Sequence, residues 1–316
     1  MRWDKPRVHE LAIRSQAEYL EDPEKGLRDL ENPEHFTAFR ESEIEHSVAT
    51  YSDRHILTFR GTEPRSIADW VTDAKIVRKR IPGARGTWHR GIADAVSSVS
   101  AKLLPYISDG RPVELTGHSL GAGLATEFAA FCIGRGGPTV SGGATFGSLR
   151  VANCEAAEWF MEKRKFMGPL GWWRVVNNND IVTRIPFSVR GGYRHVGSLA
   201  YIDRDREIVF GSSRWYRFKD RVKGRFESLL GGEPDVHEVP GLSVKSAEWL
   251  IANNMGTLEQ VSGLGDGALQ EAPGVGPAMV LSIRKWAEHR AGSGSSFVFD
   301  GTLDHGMANY VEPLAT

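Results

Sequence analysis

The alternation of apolar and polar positions divides the chain into three textures. In residues 6–40, mixed and charged, apolar side chains recur at helical spacing at Val8, Leu11, Ala12, Tyr19 and Leu20, which predicts an N-terminal helical cap. Two short β-rich runs follow at 45–51 and 55–59, separated by Ser52-Asp53-Arg54, a spacing that suits a hairpin. Helical and strand patterns then alternate: 90–106 helical, 112–116 a buried strand, 120–133 helical, 139–146 strand, 151–165 helical, 173–177 strand. Such alternation predicts an α/β fold whose central sheet is mixed, antiparallel where the chain enters and parallel in the middle. Two more strand candidates, 198–202 and 207–210, flank Asp203-Arg204-Asp205-Arg206, and a helical stretch at 215–230 ends at Gly231-Gly232-Glu233-Pro234.

The third texture, 239–290, is all helical with Gly and Pro punctuation, and it repeats at a spacing of 33 residues. Val239-Pro240-Gly241-Leu242-Ser243-Val244 and Ala272-Pro273-Gly274-Val275-Gly276-Pro277 each precede a helix. A Gly/Ser linker at 292–296 then returns the chain to a β segment at 297–299 and a last helix. The expected organisation is a main domain over 1–232, a small helical insert over 236–291, and a return of the main domain over 297–316.

Composition narrows the picture. In 316 residues, 39 basic side chains balance 40 acidic ones and 41% of positions are hydrophobic, so nothing global draws the chain to nucleic acid or an anionic membrane. No run approaches the ~20 apolar residues of a membrane span. The charged start Met1-Arg2-Trp3-Asp4-Lys5 leads into no signal-peptide core, and the expectation is residence in the cytoplasm. Two cysteines, Cys132 and Cys154, make neither a disulfide framework nor a metal site and are expected to be buried and reduced.

The chemistry lies at Gly117-His118-Ser119-Leu120-Gly121, which fits G-x-S-x-G and sits after an apolar strand and before an Ala/Gly-rich helix. A serine on so sharp a turn needs the small neighbours that Gly117, Gly121, Ala122 and Gly123 supply. The helix N-terminus behind it favours negative charge developing in front. In such a site one oxyanion donor is the N–H of the residue after the nucleophile, here Leu120, and the other comes from an earlier strand end, for which Thr62 in Leu57-Thr58-Phe59-Arg60-Gly61-Thr62 is the candidate. Asp180 lies just past the 173–177 strand; composition alone reads it as an Asn/Asp turn, and chain order promotes it to the acid.

These residues carry a resemblance. Phe59-Arg60-Gly61-Thr62, then Asp69-Trp70 and Asp73, His89-Arg90-Gly91, Gly117-His118-Ser119-Leu120-Gly121-Ala122 and Asn179-Asp180-Ile181-Val182 resemble, in order and spacing over 43–203, the class 3 lipases, fungal-lipase-like members of the α/β-hydrolase fold. The resemblance implies Ser119 as nucleophile, Asp180 as acid, Thr62 and Leu120 as oxyanion hole, and a lid over 63–71 with Trp70 on its inner face. It implies hydrolysis of acylglycerols, phospholipids or smaller esters through an acyl-enzyme, with no metal or organic cofactor. A phosphodiesterase or peptidase would use the same triad.

Two histidines compete for the third triad position. His195 lies fifteen positions after Asp180 but precedes the strands at 198–210, whereas in this fold the histidine follows the final strand. His305, in Leu303-Asp304-His305-Gly306-Met307 with Tyr310 five positions on, meets that condition and resembles the family's C-terminal motif. His305 is therefore the expected base and His195 a structural element.

The 33-residue repeat resembles a pair of helix-hairpin-helix motifs, whose Gly-x-Gly turn lets backbone amides approach a phosphate. Its parts are split: the first copy keeps Lys245 but has Ser243 for the second glycine, and the second keeps both glycines but has Ala278 at the Lys245 position. Four basic residues (Lys245, Arg284, Lys285, Arg290) face six acidic ones (Glu238, Glu248, Glu259, Asp266, Glu271, Glu288), a poor balance for phosphate neutralisation. A structural or protein-contact role is the expected use and weak nucleic-acid contact the alternative. On that alternative the hydrolase fold would serve as a scaffold.

Overall fold

A computed structural model describes residues 3–27, 30–40, 44–61, 77–178, 180, 182–185, 192–213, 216–217, 239, 242–253, 255, 266–292 and 306–315. The chain opens with α1 (Lys5–Ala17), whose N-cap Asp4 accepts from the Arg7 N–H and whose first turn carries Pro6. Val8, Leu11 and Ala12 are buried as the spacing predicts, but the helix stops at Ala17, and Leu20 is 47% exposed. Pro23 disfavours helical backbone at Asp22, which ends any continuation of the apolar stripe. The charged segment that follows, expected to be helical, instead forms β1 (His35–Phe39), a partly exposed edge strand.

β1 pairs antiparallel with β2 (His46–Thr50), and β2 with β3 (His55–Phe59), so the expected hairpin is present with a further strand outside it. After α2 (Arg90–Leu103) come β4 (Val113–His118), α3 (Leu120–Arg135), β5 (Val140–Phe146), α4 (Cys154–Lys163) and β6 (Gly171–Asn177). β3 through β6 run parallel, joined by crossovers that carry the helices, and β7 (Ser198–Ile202) extends them. β8 (Ile208–Phe210) turns back antiparallel at the far edge. The result is an eight-stranded sheet in the order β1 to β8, mixed at both ends and parallel in the middle.

Two cores cover the two faces of the sheet. On one, α2, α3 and α4 bury Trp88, Phe128, Phe160 and Trp172 against the strands; α3 is buried from Gly121 to Cys132, which is why its sequence is apolar on every side. On the other, α1 and the final helix α7 (Ala308–Ala315) enclose Ile56, Phe146, Val175 and Tyr310. α1 is tied to β4 by Arg7 Nε donating to Glu114 at 2.7 Å and by the Ser15 and Thr116 hydroxyls at 2.9 Å.

The helical segment carries α5 (Val244–Ala252) and α6 (Pro277–Gly292), which bury Val239, Leu250, Leu269, Val280 and Ile283 in a core of their own. Its two repeats meet where the Ser246 hydroxyl donates to the Pro273 carbonyl at 2.6 Å. Of the cysteines, Cys132 is buried and its thiol is pushed up to about 12 by desolvation, but Cys154 is exposed. Cys154 opens α4 on its outer side, which corrects the expectation that both are buried. The expected helix at 215–230, apart from residues 216–217, and the β segment at 297–299 lie outside the described residues.

Candidate active site

β4 ends in Gly117-His118, and the chain reverses into α3 within one residue, Ser119, at φ 58° and ψ −122°. This backbone is in a region that side chains other than glycine rarely enter, and Ser119 is one of two such residues among those described. The turn survives because everything behind it is small. A Cβ on Gly121 would lie 2.2 Å from the Phe59 carbonyl oxygen of β3, and one on Gly117 would lie 2.4 Å from the Gly121 carbonyl oxygen. The Ser119 N–H donates to Phe146 at the end of β5 (2.9 Å), and its side chain makes no capping bond to α3. Leu120 begins α3, so its N–H is among the first helical amides, which have no partner inside the helix.

Asp180 follows β6, two strands along the same carboxyl edge, where ligands bind in parallel sheets. It is fully buried, and its carboxylate accepts from the Val182 N–H at 2.8 Å and from the Tyr310 hydroxyl of α7. The Thr183 hydroxyl caps the same turn by donating to the Asp180 carbonyl at 2.8 Å. Tyr310 therefore spans three strand ends: its ring packs on His118, the last residue of β4 (5.8 Å), and on Phe146 of β5 (6.1 Å), and its hydroxyl reaches Asp180 after β6.

His195 does different work. Its Nε2 donates to the Thr183 carbonyl at 2.7 Å, bracing the loop behind Asp180. Burial, then the fields of Arg174 and Arg150, hold its pKa well below the ordinary histidine value. Arg174 is itself pushed down to about 9 by burial and by Arg217 and Arg150, so the neighbourhood is cationic. A general base must become an imidazolium during the reaction, and this environment opposes that. His89, of the His89-Arg90-Gly91 run, is buried beside Glu127 of α3, whose carboxylate accepts its backbone N–H at 3.0 Å; burial raises the Glu127 carboxyl well above its usual range.

Of the residues singled out in the sequence, Ser119, Leu120 and Asp180 are thus brought to one edge of the sheet. Thr62, Trp70 with the 63–71 lid, and His305 lie outside the described residues. Sequence reasoning passed over two side chains that crowd this edge, Tyr19 and His118, whose hydroxyl and Nδ1 share a 2.8 Å hydrogen bond. His118 stood inside the motif; Tyr19 stood 99 residues away, marked only by its place in the apolar stripe of the N-terminal segment. Among the described residues no helix is long and apolar enough to cross a membrane.

Comparison with known proteins agrees with this fold. Residues 56–190 match the family model described as lipase (class 3). The secreted mono- and diacylglycerol lipase 1 of Fusarium solani is 28% identical over 165 residues, covering 49% of this chain and 46% of that protein. Triacylglycerol lipase OBL1 of Arabidopsis thaliana is 26% identical over 195 residues, 47% of this chain and 37% of that protein. The chain thus spans less than half the length of these curated relatives. Among solved structures, the Rhizomucor miehei triacylglyceride lipase superposes with a TM-score of 0.52 at 22% identity, covering 62% of this chain and 79% of that one. The nonglycosylated LIP2 lipase of Yarrowia lipolytica gives 0.54 at 20% identity, over 67% and 86%. These likenesses establish the α/β-hydrolase fold.

Proposed function

We propose that this chain, whose residues 56–190 match the class 3 lipase family model, is a lipase of that kind and hydrolyses carboxylic esters of the acylglycerol type through Ser119. The observation that carries the reading is the strained Ser119 between β4 and the buried N-terminus of α3, a backbone cost with no structural return. In this reading the Ser119 hydroxyl attacks the ester carbonyl while His305 takes its proton, and Asp180 orients the imidazole and balances its charge. The oxyanion receives the N–H groups of Leu120 and Thr62. Collapse breaks the ester bond, the alcohol leaves with the proton from His305, and water then frees the acid by the same steps in reverse.

Support for His305 comes from its neighbour five residues on. Tyr310 bonds the acid directly, so the final helix begins at the catalytic edge. The reading also assigns 63–71 as a lid with Trp70 on its inner face. A panel of p-nitrophenyl esters of increasing acyl length, with Ser119→Ala as the blank, tests the activity and ranks the substrates. Hydrolysis by wild type that the variant retains would contradict it.

For the helical unit, the reading is a contact module for another protein. Its net negative charge argues against duplex binding, and a salt-dependent mobility shift with DNA would overturn that choice.

A further inference from the structure

α1 ends at Ala17, and the side chains of the next two residues reach Ser47 of β2 and His118 at the end of β4. The Glu18 carboxylate accepts from the Ser47 hydroxyl and pairs with Arg40 at 3.0 Å. Arg40 and Arg60 in turn share Glu45, at 2.9 and 2.6 Å, and the Arg60 N–H donates to the Glu45 carbonyl at 3.0 Å. The end of β3 is thereby anchored to the N-terminal segment by a charge network.

Tyr19 carries the anchor to the nucleophile. Arg60 sits 5.7 Å over its ring, and its hydroxyl bonds His118 Nδ1 at 2.8 Å. A Cβ imagined on Gly61 would lie 2.2 Å from that hydroxyl, 2.5 Å from the His118 carbonyl oxygen and 3.2 Å from Ser119 Cβ. The Tyr19 oxygen is therefore no farther from Ser119 Cβ than the first and last of those distances laid end to end. Three segments distant in sequence, at Tyr19, Gly61 and His118-Ser119, meet at one phenol oxygen.

That meeting point matters because the two proposed oxyanion donors belong to different segments: Leu120 follows the nucleophile and Thr62 follows Gly61. Donors of this kind act only when held within about 0.5 Å of the productive geometry. Gly61 has no side chain with which to hold itself against the turn. We propose that Tyr19 is a positioning residue, its hydroxyl fixing the Arg60-Gly61 strand end against the His118-Ser119 turn and so holding the Ser119-Leu120 backbone in place for the oxyanion. The inference rests on the hydrolase reading above and extends it to a residue outside the triad and its hole.

The test removes one oxygen. Wild type and Tyr19→Phe are titrated with a fluorophosphonate to count reactive serines, and kcat per titrated site, KM and the inhibition constant of a trifluoromethyl ketone are measured. The ketone's tetrahedral adduct probes the oxyanion hole, whereas KM does not. The loss expected is about tenfold in kcat per site, below the roughly 10²-fold of a lost donor, with KM within twofold and ketone affinity falling by the same factor as kcat. His118→Gln, which removes the ring at the other end of the bond, should show the same split and add little to Tyr19→Phe in the double variant. A merely structural tyrosine would lower the titratable fraction or the melting temperature and leave kcat per site within twofold, which overturns the proposal. Wild type that neither hydrolyses esters nor takes the label would instead overturn the hydrolase reading beneath it.

Discussion

The turn at Ser119 and the turns of the helical unit are both rich in glycine, and glycine does different work in each. At Ser119 the absent side chains are required by backbone: Gly121 lies against the end of β3 and Gly117 against Gly121 itself. In the helical unit a Cβ on Gly267 or Gly276 would meet nothing within 4 Å among the described residues, and Gly274 is set by its φ of 78°. Close packing behind a strained residue dictates the first sequence. In the second, backbone conformation and not close packing sets the glycine, as the φ of Gly274 shows.

The comparison predicts its largest effect at the catalytic edge. His305→Asn should lower kcat on a short p-nitrophenyl ester by ~10⁴-fold or more, whereas His195→Asn should stay within tenfold of wild type and lose about 1 kcal/mol of stability with its bond to Thr183. The reverse pattern would move the base to His195. Next, Gly121→Ala should cost about 3 kcal/mol or more by urea denaturation, since the Phe59 carbonyl cannot yield as a flexible side chain would. A cost below about 1 kcal/mol would mean the turn has slack.

The edge also holds its charge at a cost. Burial raises the Glu18 carboxyl from 4.5 to about 7, against the opposing pull of Ser47 and Arg40. Its folded-state pKa is higher than its unfolded one, so its contribution is complete below about pH 4.5 and is lost as pH rises through about 7. The denaturation midpoint should fall over that window by an amount equivalent to roughly 3 kcal/mol, and Glu18→Gln should remove that part of the slope. An unchanged slope in the variant would assign it to other groups. The smallest effect belongs to the helical unit: Gly267→Ala, in a short helix and with nothing within 4 Å among the described residues, should stabilise by about 0.5–1 kcal/mol, and a loss there would show that the position is crowded.

Much of the fold was legible because the central strands and helices are buried on a regular period. β4, α3, β5 and β6 begin and end within a few residues of their hydrophobic patterns. β1 was not, since an edge strand with partly exposed side chains on both faces shows no alternation, and its charged neighbours read as helix. The strands β7 and β8 were legible on either side of Asp203 to Arg206, and a connection that short allows only the antiparallel pairing found, though the sheet was read as antiparallel at its entry alone. Ser119 announced itself through the small residues its strain requires. Asp180 needed chain order, because an acid in a polar loop looks like any turn until Tyr310 is seen bonded to it. Tyr19 carried no signature beyond its place in the apolar stripe of the N-terminal segment: it sits two residues past the end of α1, and only the folded sheet brings it to His118.

The most direct test of the account is to treat the intact protein with a fluorophosphonate and map the adduct by peptide mass spectrometry. One phosphonyl group on Ser119, formed at a rate that Ser119→Ala abolishes without a change in melting temperature, is the predicted result. Labelling of another residue, or none in a protein that still cleaves esters, would contradict it.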